Sequence, residues 1–158
     1  MKAGIAVMAA GTLALAAGAT PLDAQGFPTI STRQFTGGSA KLIVTGSFTI
    51  SQELALNPQG GFGDGEVTWI PFGVSGSDQP NALITYGETK EIGITVGRGK
   101  LIATGGITPG EPSQCSGKVE VTATLIAGRY TCKGVSSYDP GTGKMGKVDI
   151  DITFTAKS

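Results

Sequence analysis

The sequence contains no histidine. Its absence removes the commonest general base, the commonest zinc ligand and the usual switch near neutral pH. Charge is sparse as well. Charged residues make up 15% of the chain, against roughly 25% in an average soluble domain. Twelve basic residues balance twelve acidic ones, for a formal net charge of zero. A nucleic-acid binder carries a basic face that neutralises phosphates. The nearest approach to one, Lys144 and Lys147, is diluted by Asp139, Asp149 and Asp151, so no nucleic-acid partner is expected. Sustained apolar spacing at i, i+3, i+4 and i+7 is missing after residue 25, which argues against helical bundles and parallel α/β folds.

Glycine is abundant, at 26 residues. Alanine is concentrated at the N-terminus, so the rest of the chain is poor in helix formers and rich in β-branched residues. Met1 and Lys2 form a minimal positive start, followed by an uncharged run from Ala3 to Ala19. Small residues then offer cleavage after Ala19 or after Ala24. This is the layout of an export signal helix over 1–24. Retention of residues 3–22 as a membrane anchor is the rival expectation, since that run approaches the roughly 20 residues needed to span a bilayer. No cysteine precedes Cys115, so lipid attachment at a cleavage site is excluded. Bacterial export is the default, because the signal is short and no N-x-S/T glycosylation site is present.

Residues 25–38 read as a polar, Gly/Pro-punctuated extended leader, and 39–158 as a single β-domain. Period-two alternation recurs through the latter. In Lys41–Ser51 the residues Leu42, Val44, Phe48 and Ile50 share one face, with Gly46 marking a bulge or corner. The segment Asn57–Gly65 reads as a loop. Further short strands are expected around Val67–Val74, Ala82–Tyr86, Glu91–Val96, Lys100–Thr104, Lys118–Leu125 and Arg129–Val135. The clearest is the last, with Val148, Ile150, Ile152 and Phe154 inward and Asp149, Asp151, Thr153 and Thr155 outward. About eight short strands predict an all-β antiparallel fold, either a sandwich (Ig-like or jelly-roll-like) or a small barrel.

Cys115 and Cys132 are the only cysteines. In an oxidising compartment they are expected to form a disulfide. The bond would staple the open end of a hairpin built from Lys118–Leu125 and Arg129–Val135. Redox activity wants closer C-x-x-C spacing.

Gly141–Gly146 spells G-x-G-x-x-G, but it follows Asp139-Pro140 and leads into a strand instead of a helix, so a hairpin turn is expected and no nucleotide. Asp149 and Asp151 form an acidic pair that a glycosidase would need buried and split in pKa. On an exposed strand face they are ordinary solvated carboxylates. Asp64 and Glu66 with loop carbonyls are too few for a calcium site. Trp69 with Phe62 and Phe72 could form a stacking platform, yet a lone tryptophan alternating with Val67 is expected to be core. No cofactor and no metal are expected.

Three functions follow as expectations. The first is a non-catalytic binding or structural module of the cell envelope or secreted space, with a protein partner or self-association. The second is an accessory subunit anchored by residues 3–22 to a membrane complex. The third is a secreted hydrolase acting on carbohydrate or peptide, with Asp64, Glu66, Asp149 or Asp151 as its acids.

Overall fold

The computed structural model describes residues 33–57, 61–63, 67–74, 78–87 and 90–158. The expected export signal, the first part of the expected leader, and Asp64 and Glu66 lie outside them. No helix occurs among the described residues. The described residues form eleven strands: β1 (Arg33–Phe35), β2 (Gly37–Gly46), β3 (Ile50–Ala55), β4 (Gly61–Gly63), β5 (Val67–Gly73), β6 (Pro80–Gly87), β7 (Ile92–Arg98), β8 (Leu101–Ile107), β9 (Cys115–Val121), β10 (Leu125–Asp139) and β11 (Lys144–Lys157).

All are antiparallel and belong to one sheet, in the order β1-β4-β5-β6-β7-β8-β10-β11-β2-β3, with β9 attached to β10. β1 and β2 pair with β4 and β3 respectively, and a single bridge from Leu56 to Phe72 joins the end of β3 to β5. The ribbon therefore curls into a nearly closed barrel of eight strands, the barrel form of the all-β fold rather than the sandwich.

Strict alternation explains why it closes. Each strand turns one set of side chains inward, and those sets meet in a common core that includes Phe35, Leu42, Ile70, Ile84, Phe72 and Phe154, all at most 1% exposed. Full burial of such side chains is worth about 1.5–3 kcal/mol each. The last strand behaves as its sequence predicts: Val148, Ile150, Ile152 and Phe154 are buried. The phenyl rings of Phe72 and Phe154 meet across the interior, centroids 6.2 Å apart.

Three local readings change. Gly46 does not bend a single strand from Lys41 to Ser51. It ends β2 in a left-handed backbone conformation (φ 129°), where a side chain would strike the Lys147 carbonyl. The chain then reverses into β3, so Leu42 and Ile50 belong to different strands. Within the expected leader, Arg33–Phe35 is β1, and Phe35 is fully buried. Likewise Gly61–Gly63, inside the expected loop, is a strand.

Candidate functional site: two outer faces of the barrel

Once the interior is filled, any function must lie on the outside, at the rims or in the seam. The outside divides into two faces.

The first face runs over β9, β10, β11 and β2. Asp149 and Asp151 point outward from β11, as expected. Each is tied to a cation of β10: Arg129 Nη2 to Asp151 Oδ2 at 2.7 Å, and Lys133 Nζ to Asp149 Oδ2 at 2.8 Å. Asp149 has a second task. β10 carries one extra residue between Cys132 and Val135, and Gly134 takes the left-handed conformation there (φ 59°). The Gly134 N–H, turned out of the ladder, donates to Asp149 Oδ1 at 2.8 Å. The bond from Lys133 and that from Gly134 hold the Asp149 carboxyl below the usual carboxylate range. A general acid needs the opposite shift. The geometry makes this pair a brace for the bulge.

The cysteines sit where the hairpin reading puts them. Cys115 and Cys132 are directly opposite across β9 and β10 and form a disulfide with S–S 2.05 Å. The hairpin turns at the other end, where Thr122 N–H donates to the Leu125 carbonyl at 2.8 Å. β8 pairs β10 only through Ile102 and Ala103, so β9 and β8 share one edge of β10. The disulfide fills the fork between them. A methyl group on Gly105 would lie 2.7 Å from Cys115 Sγ and 2.9 Å from Cys132 Sγ. Only a glycine lets β8 pass beneath the two sulfurs.

The expected hairpin at Gly141–Gly146 is also present. Asp139 organises it, accepting from Gly141 N–H at 2.8 Å and from Thr142 Oγ1 at 2.7 Å. Those bonds, Thr142 first, lower its pKa. The Thr142 hydroxyl and the N–H groups of Gly141, Thr142 and Gly143 all bond to Asp139 in making the turn.

The second face covers β5 to β8. Three rows of register partners cross it: Trp69, Thr85, Gly93 and Gly106; Pro71, Leu83, Thr95 and Thr104; Gly73, Asn81, Gly97 and Ile102. The last row continues through Tyr138 to Met145. None of these side chains is charged. Ile102 is 45%, Tyr138 45% and Met145 69% exposed, an apolar row at the rim. Thr85 lies across Gly93, whose added Cβ would meet Thr85 Oγ1. A shallow trough is floored by Gly93 and Gly106 and bounded by Val67, Thr85 and Thr108, with Glu91 at its end as the one charged residue.

Trp69 corrects the sequence reading: it is half-buried and lies on this outer face, opposite in parity to the buried Ile70 and Phe72. It does alternate with Val67, but outward. Phe72 points into the core and so does not share a platform with Trp69, whose register partner on β4 is Phe62. The bare face was missed although its signal is in the sequence. Between residues 67 and 107 charges occur only at Asp78, Glu88, Lys90, Glu91, Arg98 and Lys100, and among those described only Arg98, the last residue of β7, lies within a strand.

Among the described residues no group of three or more acidic or cysteine side chains could hold a metal. No family model matches the chain, and neither a curated protein nor a solved structure matches it.

Proposed function

We propose that the protein is a non-catalytic binding module of the cell envelope or secreted space, exported by residues 1–24 and released after Ala24. Its contact surface is the uncharged outer face of β5–β8 with the rim row Ile102, Tyr138 and Met145. The observation that carries this reading is the segregation of charge. Soluble monomers intersperse both signs over their surface, whereas a contiguous uncharged sheet face with exposed apolar groups marks a site that another molecule covers. The partner is a protein surface of matching neutrality, since a charged surface would lose its hydration here without gaining a counter-charge. The disulfide is consistent with an oxidising compartment.

The test is affinity capture from native membranes and culture medium, using the processed chain and two variants. Leu83→Glu with Thr104→Lys places charge on the bare face and is expected to abolish capture of any specific protein while leaving the thermal midpoint nearly unchanged. Lys133→Glu on the opposite face is expected to leave capture intact. Equal capture by all three chains defeats the reading. The intact mass of the native protein decides release: loss of residues 1–24 supports it, and a full-length mass supports the anchored accessory subunit.

A further inference from the structure

The cysteine hairpin leaves one edge open. β9 pairs β10 along one side and has no ladder partner on the other among the described residues. Two bonds at its ends set the phase: Thr122 N–H donates to the Leu125 carbonyl at 2.8 Å, and Lys133 N–H to the Gln114 carbonyl at 2.9 Å. Antiparallel ladders alternate, so Ser116, Lys118 and Glu120 turn their backbone groups toward β10. Gly117, Val119 and Val121 turn theirs outward. The Cys115 N–H also points out, and Ser113 Oγ accepts from it at 2.9 Å while donating to the Gly106 carbonyl. That cap closes the start of the edge and leaves the rest bare.

The flank of the edge is open. β8 approaches β9 at the disulfide, where Gly105 lies under the sulfurs, and pairs β7 along its whole length. Residues 109–114, which connect β8 to β9, are exposed throughout. Within residues 116–124 Val119 alone is half-buried, packed against the core, and all the others are exposed. The atoms nearest an added Cβ on Gly117 belong to β10. An edge of this kind accepts another strand through its main chain.

The charges on β9 say which strand fits. Lys118 and Glu120 stand on one face, two positions apart, and neither makes an ion pair among the described residues. Two copies of β9 related by a two-fold axis pair antiparallel, with outward-turned residues opposite one another. Centred on Lys118 or on Glu120, that pairing sets like charges face to face at the axis, which is destabilising. Centred on Val119, it sets Lys118 of each copy against Glu120 of the other, in the closely spaced positions between hydrogen-bonded pairs. Val119 then meets its own counterpart, and Gly117 meets Val121. The glycine leaves room for Val121, which is 43% exposed in the single chain. We propose that β9 is a self-pairing edge, to which a second copy of this chain adds its own β9 in the register centred on Val119. Charges that ordinarily guard an edge against pairing here select its register. The pairing continues the sheet from one barrel to the next and leaves the bare face of β5–β8 free for its own partner.

Four forms of the processed, disulfide-bonded chain test this by sedimentation equilibrium and amide hydrogen exchange: wild type, Lys118→Glu, Glu120→Lys, and the two substitutions together. Both side chains are exposed, so the four thermal midpoints should agree. The wild type is expected to associate with rising concentration and to slow exchange at the Gly117, Val119 and Val121 amides by about tenfold or more. The Lys118 and Glu120 amides, already bonded to β10, should change little. Each single variant places like charges opposite one another and is expected to stay monomeric. The double variant restores the complement and should associate as the wild type does. An equimolar mixture of the two single variants should form a mixed pair, because each supplies the charge that the other lacks. Association that persists in both single variants, or that leaves the Val119 amide unprotected, overturns the proposal in favour of another surface. A wild type that stays monomeric at every concentration overturns it too. Wild-type pairing without rescue in the double variant and the mixture overturns the register.

Discussion

The two sides of the barrel are built from the same alternation and finished differently. On one side β10 and β11 run 15 and 14 residues, carry paired charges outside and are stapled to β9. On the other, β5 to β8 are seven or eight residues each and present glycine, threonine and scattered apolar groups. The inner faces are equally buried, so the core does not distinguish them. What differs is where stability comes from beyond the core. The charged side is reinforced by ion pairs and a disulfide, and the bare side has neither among the described residues. A side with its own reinforcement needs no cover. A side without charge or clamp is free to receive one.

The largest effect should come from removing the clamp. Cys115→Ala with Cys132→Ala lengthens the unfolded chain's freedom over a separation of 17 residues, costing ~3 kcal/mol on the chain-entropy model. For a domain of this size the expected fall in Tm is on the order of 10 °C. Hydrogen exchange should localise the loosening to β9 and the facing half of β10, with β5–β7 little affected. Uniform loosening of both sides would erase the contrast.

Next comes Gly105→Ala. Its methyl group collides with both sulfurs and sits 3.3 Å from Val135 Cγ1, an overpacking expected to cost about 1–3 kcal/mol. In the double-alanine background the sulfurs are gone, and most of that cost should vanish. Chemical denaturation of the four proteins measures the coupling. Additivity would mean that the disulfide does not rest on Gly105.

A smaller effect of opposite sign is expected inside. Tyr130 is fully buried on β10, and its hydroxyl has no hydrogen-bond partner among the described residues. Burial pushes its ionisation well above the ordinary tyrosine range. Tyr130→Phe removes an unsatisfied polar group, which costs about 1–3 kcal/mol where it is buried. The variant should melt a few degrees higher. A lower Tm would show that the hydroxyl is engaged.

The smallest effect concerns the exposed ion pairs, which contribute little singly. Asp149 and Asp139 have pKa values depressed by bonds made in the fold. A depressed carboxylate stabilises fully above its unfolded pKa of about 3.9 and loses that contribution as pH falls through the folded value. Tm should therefore be flat from neutral pH to about 5 and decline below ~4. Asp149→Asn should lower the neutral plateau slightly and flatten the acid decline. An unchanged acid profile would show that the Lys133 and Gly134 bonds do not persist in solution.

Alternation was enough to read the class, the inward set of β11 and the cysteine hairpin, because each depends on neighbours close in sequence. The seam, the fork at Gly105 and the outward turn of Trp69 depend on which strands meet in space. Trp69 shows the limit plainly. Parity groups it with Val67, but only the pairing of Ile70 with Ile84 reveals which parity faces the core. Gly46 shows another: a glycine between two apolar rows reads equally as a corner or as a reversal, until β11 is placed beside it.

Trp69 is the only tryptophan and lies on the bare face. The processed chain labelled with 5-fluorotryptophan therefore gives one fluorine resonance from that face. On addition of a detergent-solubilised envelope extract, the account predicts that this resonance shifts or broadens, and that Leu83→Glu with Thr104→Lys prevents the change. A resonance that stays in place while the wild-type chain is pulled into a larger complex would contradict it.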